Sequence, residues 1–251
     1  MNLDDYLKKE GIEETTMDPM NLFKSALKEQ DYKLFEEVSS SYMNKDTIEN
    51  AIKLYDFFVE KNLTTIKYSL VISEIKKVMP IVLKEIPEHE KILDIGCNDG
   101  LKTIYYAMSF PNSKFVGLDI SPLALEYAKN KANEYECKNI EFIEGNMLSM
   151  DYDKEFDLVL MDHVLQDTSC FDSQLGQDFM LLEKLNKSKE AMTDDGEVFI
   201  AMAPNSLNDF NFQFTHLINE VGFESIKSDV FWYTKFGVRQ DGIFYLVKKK
   251  N

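Results

Sequence analysis

The chain has 251 residues, with 28 Lys and Arg against 44 Asp and Glu, and carries a formal charge of −16. This charge opposes binding to nucleic acid, because affinity for phosphate backbones comes largely from Lys and Arg. With 44% hydrophobic residues and only 10 Gly and 6 Pro, the composition predicts a folded globular protein and excludes wholesale disorder.

The first 88 residues are predicted to be helical. Apolar residues recur at helical spacing in NLFKSALKEQDYKLFEEV, TIENAIKLYDFFVEKN and TTIKYSLVISEIKKVMPIVLKEI. The N-terminus lacks a basic region followed by an apolar stretch, and no window approaches the roughly 20 apolar residues of a membrane span. We therefore expect a helical cap over residues 1–88, no export signal and no membrane span.

Residues 89–251 change to short apolar runs that alternate with helical patterns: KILDIGC, KFVGLDIS, IEFIEGN, FDLVLMD, EVFIAMA, SIKSDVFWYT and GIFYLVKKK. This alternation predicts an α/β domain with a parallel sheet covered on both faces. The last two runs are separated only by Lys235 to Asp241, too short for a parallel crossover. A hairpin is therefore expected there, with its turn at Gln240-Asp241-Gly242.

One motif combines a strand, an acidic residue and a glycine-containing turn that leads into a helix. It is ILDIGCNDGLKT, with Gly96 and Gly100 on either side of Asn98. Such a turn lets backbone N–H groups approach a ligand, but the G-x-G-x-x-G fingerprint of nicotinamide cofactors is absent. About 25 residues after Asp94, the next strand ends in Asp119, where a carboxylate can accept hydrogen bonds from ribose hydroxyls.

These motifs resemble those of the class I S-adenosylmethionine-dependent methyltransferases. The resemblance rests on LDIGCNDG, GLDIS, IEFIEGNML, FDLVLMDHVL and TDDGEVFIAMA, in this order over residues 88–203. It implies a Rossmann-like, mostly parallel sheet of seven strands with an antiparallel C-terminal hairpin, in agreement with the hairpin inferred above. The methyltransferase domain is then expected over residues 89–251, with S-adenosylmethionine as cofactor.

The resemblance also implies cofactor contacts for particular residues. Those near the methionine end of the cofactor would be Asp94, Gly96, Cys97, Asn98 and Gly100, and Asp162 of the fourth motif is assigned to the cofactor as well. Asp119 would hold the ribose, Ile120 would pack on the adenine, and Asn146 with Met147 would contact the adenine edge. Two residues depart from the usual pattern: Asn98 replaces a glycine, and Asn146 replaces an aspartate. Asn tolerates left-handed backbone angles, and its amide oxygen can still accept a hydrogen bond.

Methyl transfer needs mainly orientation of the reacting groups, so a catalytic residue is not required. His163, in the fourth motif, is predicted either to act as a general base near the acceptor or to pack beside the cofactor. The motif lacks the Asn/Asp-Pro-Pro-Tyr/Phe run typical of nucleobase and amide methylation. Asp162-His163 is similar to the pair in catechol-type O-methyltransferases. However, Leu165 and Ala203-Pro204-Asn205 do not complete that family's metal set, so no metal is expected.

The cap carries aromatic residues that could form an acceptor chamber or could simply pack the helices. The candidates are Tyr42, Met43, Tyr55, Phe57 and Phe58. Tyr42, in the apparent break SSSYMNKD, is the best candidate for contacting a substrate, and packing is favoured for most of the others.

The sequence as a whole therefore indicates a methyltransferase that acts on a small molecule, at oxygen, nitrogen or activated carbon in that order. The alternatives are a protein or peptide methyltransferase and a catalytically silent cofactor-binding subunit. An aminopropyl transferase is a further alternative. Nucleic-acid and membrane partners are not expected. Three widely spaced cysteines, Cys97, Cys137 and Cys170, favour a reducing, cytoplasmic setting.

Overall fold

The computed structural model describes residues 1–44, 47–165, 174–203, 207–235 and 238–250, without the side chains of 88, 174–179 and 207–213. Its sheet contains β1 (Lys91–Ile95), β2 (Lys114–Asp119), β3 (Ile140–Glu144), β4 (Phe156–Asp162), β5 (Met192–Met202), β6 (Phe223–Lys235) and β7 (Val238–Lys249). The strand order is β3-β2-β1-β4-β5-β7-β6. Strands β1 to β5 pair in parallel, and β7 is antiparallel to both of its neighbours. The predicted fold is confirmed.

Ten helices are described: α1 (Leu3–Lys9), α2 (Pro19–Ala26), α3 (Glu29–Asn44), α4 (Ile48–Glu60), α5 (Thr64–Ser69), α6 (Ile72–Glu85), α7 (Leu101–Ser109), α8 (Pro122–Glu134), α9 (Gln174–Ala191) and α10 (Leu207–Val221). Side chains cap several of them: Asn2 accepts from the Asp5 N–H and Thr47 from the Asn50 N–H. Among these described segments, no helix has both the length and the apolar character that crossing a bilayer requires.

The central strands are buried on both faces, as their continuous apolar runs require. Ile92 of β1 packs in a core shared with α1, α6 and α7, whereas Leu93 packs on the opposite face, where α9 and α10 contribute. Neighbouring side chains of a strand point to opposite faces, so each run supplies both cores.

The N-terminal helices divide into two packing groups. Helices α1 and α6 bury their apolar faces in the core on the sheet, and the Tyr6 hydroxyl donates to the Leu101 carbonyl at 2.8 Å. Helices α2, α3 and α4 instead form a separate cluster around Phe35, Phe57 and Phe58. We call α2 to α4 the cap helices.

Helix α3 continues through Tyr42 to Asn44, so the described part of the predicted break, residues 39–44, is helical. A second difference concerns the C-terminal hairpin. Its strands remain paired to Lys235 and Val238, so the expected turn at Gln240-Asp241-Gly242 lies within the ladder. A Cβ on Gly242 would stand only 2.3 Å from the Phe231 ring. The glycine therefore leaves space for the ring of Phe231 on the paired strand, and it does not form a turn.

Candidate functional site

A cavity of about 440 Å³ opens at the carboxyl ends of the parallel strands, where ligands of open α/β sheets bind. Its volume lies within the range of roughly 300–1,000 Å³ that is usual for small-molecule sites. The lining comes from the loops after β1 to β4, from α4 and from α9: Thr47, Ile48, Ala51, Tyr55, Ile95, Gly96, Asn98, Leu118, Asp119, Ile120, Gly145, Asn146, Met147, Leu148, Asp162, His163, Val164, Met180 and Lys184.

The loop after β1 has left-handed backbone angles at three positions, Gly96, Asn98 and Gly100, with φ of 73°, 52° and 77°. Asn98 thus adopts the conformation that a glycine would supply, as its tolerance for this region predicts. A Cβ on Gly96 would lie 2.7 Å from the Val164 side chain, so the loop requires glycine there for space as well.

Asp119 ends β2 and is the anchor of this loop. One carboxylate oxygen accepts the Asn98 N–H at 2.8 Å and the other accepts the Ser121 N–H at 2.9 Å. Burial raises the pKa of Asp119, while the two N–H groups oppose this rise. Each carboxylate oxygen can accept a second hydrogen bond, which gives the cavity a paired acceptor for two hydroxyls.

The loop after β3 contributes an amide and an apolar surface. Asn146 and Met147 line the cavity together with Ile120 from the end of β2. The Asn146 amide oxygen accepts the Leu148 N–H at 3.0 Å. If a bound adenine donates a hydrogen bond to this oxygen, the bond therefore uses the second lone pair of the oxygen.

Three residues expected near the cofactor, Asp94, Cys97 and Gly100, are not among the described residues that line the cavity. The Asp94 carboxylate accepts a hydrogen bond from Thr103 at 2.5 Å. The Cys97 thiol packs in an apolar cluster with Ile104, Leu125 and Phe142. Gly100 precedes α7, and a Cβ there would stand 2.8 Å from Ala128. These contacts shape the loop from the protein side, and contacts of the three residues with a bound cofactor stay a prediction.

The cap aromatics divide between the cavity wall and the packing of the helices. Tyr55 lines the cavity, whereas Tyr42 does not belong to its described lining and packs against Tyr55 with ring centroids 6.4 Å apart. Phe57 and Phe58 pack within the cap helices, and Met43 is exposed. Because α3 extends through Tyr42, this side chain is fixed on the helix and turned toward its neighbour on α4.

Asp162 and His163, at the end of β4, belong to a partly buried chain of alternating charges. One Asp162 oxygen forms an ion pair with Lys102, and the other lies 2.6 Å from His163 Nδ1. His163 Nε2 lies 3.2 Å from the Glu74 carboxylate of α6, at ion-pair distance. The His163 backbone is left-handed, with φ of 62°. This angle is uncommon for a residue other than glycine.

These neighbours set the protonation of the histidine. Burial would raise the pKa of Asp162, but Lys102 and His163 hold it well below its usual range. Burial would lower the pKa of His163, but Asp162 and Glu74 outweigh this effect and raise it. The two carboxylates therefore favour the protonated imidazolium over the neutral ring. Nδ1 is engaged with Asp162, and Nε2 is buried without a hydrogen bond among the described groups, so this geometry does not support the general-base hypothesis.

We predict that Asp94→Asn stabilises the protein at neutral pH. Burial raises the pKa of Asp94 to about 6, with the Thr103 hydrogen bond opposing the rise. The unfolded chain loses this proton near pH 4, so the ionised carboxylate destabilises the folded state increasingly between pH 4 and 6. Urea unfolding should show the variant roughly 2 kcal/mol more stable at pH 7.5, and about equal to the wild type at pH 4. A difference independent of pH would contradict this assignment.

Sequence reasoning missed two contacts by which helices reach the loops of the cavity. Lys67 of α5 donates to the Asn98 side chain and to Asp99, both at 2.9 Å. Ser121 donates to Asp56 of α4 at 2.5 Å. A charged residue on an amphipathic helix looks solvent-facing in the sequence, so no local signal identified either partner.

No group of three or more His, Cys, Asp or Glu side chains in the described ranges is arranged to hold a metal ion. Pro204 and Asn205 were considered above as part of a possible metal site, and both lie outside the described residues. Cys170 lies outside them as well.

A family model described as a methyltransferase domain matches residues 86–220, which is more than half of the chain. The chain belongs to the class I S-adenosylmethionine-dependent methyltransferases. The match covers the strands and loops that form the cavity, together with β5, α9 and most of α10. The cofactor of this methyltransferase family is S-adenosylmethionine.

The most similar proteins include a demethylmenaquinone methyltransferase of Lactococcus lactis, 37% identical over 94 residues, which are 37% of this chain and 37% of that protein. Matches to the first three curated relatives cover between 12% and 48% of their lengths.

A solved methyltransferase from Methanosarcina mazei has a TM-score of 0.56 and 18% identity, covering 68% of this chain and 97% of that one. The N-methyltransferase NodS of Bradyrhizobium japonicum, solved with S-adenosylhomocysteine, has a TM-score of 0.54 and 14% identity, covering 70% and 87%. At these identities the solved structures show the shared fold.

The residues of this methyltransferase fit its family's cofactor. The nearly buried Asp119 carboxylate offers acceptors for a diol, and the loop from Gly96 to Asn98 leaves room for close approach of a ligand. Ile120 and Met147 supply apolar surface for a flat ring. The site thus combines the acceptors, the space and the apolar surface that an adenosine moiety requires.

Proposed function

We propose that the protein transfers the methyl group of S-adenosylmethionine to a small molecule. We expect an oxygen acceptor first, then nitrogen, then activated carbon. The observation that supports this most directly is one continuous cavity that has Asp119 and Asn146 in its wall together with His163 and α4. A cofactor held by the first pair leaves the remainder of the cavity for an acceptor. Its volume, within the range usual for small-molecule sites, favours a small molecule over a protein segment.

The protein's part in this reaction is binding, orientation and exclusion of water. When bound, S-adenosylmethionine supplies an electrophilic methyl group. In our proposal Asp119 holds the ribose, Asn146, Ile120 and Met147 hold the adenine, and α4 covers the acceptor. Aligning an acceptor with the methyl group removes most of the entropic barrier, and a dry cavity prevents side reactions.

We further propose that the cap helices select the acceptor. Ile48, Ala51 and Tyr55 of α4 line the cavity, and Asp56 on the same helix is tied to Ser121 near the cofactor loop. This connection would let the cap helices close over a filled site. We also propose a division into a helical cap over residues 1–88 and a methyltransferase domain over residues 89–251, in a cytoplasmic setting.

The test of the function is a transfer assay with methyl-labelled S-adenosylmethionine and a panel of small acids, phenols, amines and alcohols. We expect labelled product together with micromolar binding of S-adenosylhomocysteine in calorimetry. Binding without transfer to any acceptor would favour the silent-subunit alternative, and transfer to a basic peptide instead would favour the protein-directed one. Absence of binding would overturn the proposal.

Tyr55→Ala should raise the KM for the acceptor about tenfold, because one aromatic wall is worth roughly 1.4 kcal/mol of contact. The affinity for S-adenosylhomocysteine should change less than twofold. Tyr42→Ala is the matched control, since this neighbouring ring lies outside the described lining and should leave the KM nearly unchanged. Equal effects of the two substitutions would show that Tyr55 acts only through packing.

A further inference from the structure

The cofactor loop, residues 96–100, is bonded to two neighbouring side chains of α5. Lys67 donates to the Asn98 amide oxygen and to one Asp99 carboxylate oxygen, both at 2.9 Å. The Tyr68 hydroxyl donates to the other Asp99 oxygen. The side chains of Lys67 and Asp99 are 17% and 1% exposed, so these bonds form largely out of water. Two adjacent residues of α5 therefore fix two adjacent residues of the loop.

Helix α5 is itself firmly attached to the helices that pack on the sheet. Tyr68 is buried in the core that α1, α6 and α7 share. The Thr65 hydroxyl donates to the Glu10 carbonyl, just after α1, at 3.3 Å. Tyr6 of α1 donates to the carbonyl of Leu101, the residue that follows the loop. The N-terminal helices thus hold the loop and its exit into α7 from a well-packed surface.

Asn98 does more in this loop than adopt a left-handed backbone angle. Its N–H donates to Asp119 at 2.8 Å, and its side-chain oxygen accepts both the Asp99 N–H and the Lys67 ammonium at 2.9 Å. A glycine could adopt the φ of 52° equally well, but it would offer no acceptor to Lys67. The Asn98 side chain therefore connects Lys67 to the turn that Asp119 holds.

The Lys67 ammonium also contacts the cap helices. It lies 6.0 Å from the ring centroid of Tyr55, which lines the cavity, and 5.9 Å from that of Phe58. These distances are within reach of a cation–π attraction. Burial raises the pKa of Asp119, and Lys67 is one of the groups that oppose this rise, after the backbone N–H groups. One charged group thus acts on the loop, on the carboxylate that anchors it and on the cap.

From these contacts we infer that Lys67 is a positioning residue for the cofactor, which it serves by holding the loop through the side chain of Asn98. Asp99 and Tyr68 keep the ammonium in place. A loop that is already ordered lowers the cost of ordering it when a ligand binds. The inference rests on the proposed place of the cofactor beside Asp119. The match to the family model begins at residue 86, so this part of the site comes from a segment that precedes the match.

The first experiment is amide hydrogen exchange of the ligand-free, full-length protein, which reports on the loop without any cofactor. In Lys67→Met, the amides of residues 96–100 should exchange about tenfold faster, because the loop opens more easily. Lys61→Met is the matched control. Lys61 also pairs with a carboxylate, that of Asp31 at 2.7 Å, but within the cap helices. Unchanged exchange of the loop in Lys67→Met, or equal acceleration in the loop and in residues 158–161 of β4, would overturn the inference.

The second experiment measures S-adenosylhomocysteine affinity by calorimetry in a double-mutant cycle. Lys67→Met should weaken binding about tenfold in the wild-type background, and Lys61→Met less than about twofold. Asn98→Gly keeps the backbone conformation but removes the acceptor of Lys67. In this background Lys67→Met should weaken binding less than about threefold. Weakening by the same factor in both backgrounds would show that Lys67 does not act through Asn98, and would overturn the inference.

A third comparison separates positioning from the cost of a buried charge. Lys67→Met leaves the Asp99 carboxylate buried without its ammonium partner, which destabilises the fold. In Asp99→Asn this charge is absent, yet Lys67→Met should still weaken binding about fivefold, because the bond to Asn98 is lost. Equal affinities of Asp99→Asn and Lys67→Met/Asp99→Asn would overturn the inference. Absence of binding in the wild type would instead reject the proposed function, and hydrogen exchange would still decide the role of Lys67.

Discussion

Asp119→Ala is expected to weaken S-adenosylhomocysteine binding about 100-fold, the loss of roughly 3 kcal/mol for two charge-assisted hydrogen bonds to a ribose. The carboxylate also organises the cofactor loop through Asn98 and Ser121, so its removal loosens the loop and reinforces the loss. Calorimetry measures the affinity, and circular dichroism checks that the variant is folded. Asp119→Asn keeps one oxygen acceptor and should lose less.

Glu144→Ala is the control for this prediction. Glu144 is the register partner of Asp119 at the end of the adjacent strand β3, but its side chain is exposed. Removing it changes the charge of the same sheet edge without touching the cavity, so the affinity should stay within twofold of the wild type. An Asp119→Ala protein that binds as tightly as Glu144→Ala would exclude Asp119 from the cofactor site.

Lys102→Met is expected to lower the free energy of unfolding by about 3 kcal/mol at pH 7, the lower end of the cost of breaking a buried ion pair. The substitution leaves Asp162 buried with only His163 to compensate its charge. Urea denaturation measures the effect. The double variant Lys102→Met/Asp162→Asn should recover part of the loss, because the uncompensated charge is then removed as well.

Lys91→Met provides the comparison for Lys102→Met. Lys91 also pairs with a carboxylate, that of Glu155, but the two side chains are 34% and 47% exposed. Surface pairs of this kind contribute less than about 1 kcal/mol. If both substitutions cost the same, the chain of alternating charges around Asp162 would contribute no more than a surface pair.

The sequence allowed the sheet and the end of the cavity nearest Asp119 to be predicted because both depend on local patterns. Apolar runs such as that of β1 mark strands buried on two faces, and a carboxylate at a strand end can be recognised from its position alone. Asn98 followed from its tolerance of positive φ. By contrast, the hairpin turn was placed wrongly because Gly242 was interpreted as a turn residue. Its actual role depends on Phe231 of the partner strand.

The other end of the cavity could not be predicted, because its partners are far apart in the chain. Lys102 and Glu74 meet Asp162 and His163 only after α7 and α6 have packed on the sheet. In the sequence both residues look like ordinary charged positions of amphipathic helices. The tertiary fold alone decides that His163 has two carboxylate neighbours, which raise the pKa of this histidine above its ordinary value.

The position of β7 between β5 and β6 has a consequence for the order of assembly during translation. Strands β1 to β5 can pair as they emerge from the ribosome, but β6, whose one strand neighbour in the described sheet is β7, must wait until β7 has been synthesised. Until then β5 presents an open edge with unpaired backbone groups. The nascent chain is therefore most prone to aggregation just before β7 emerges, and a defect in β7 would expose the β5 edge and detach β6 together.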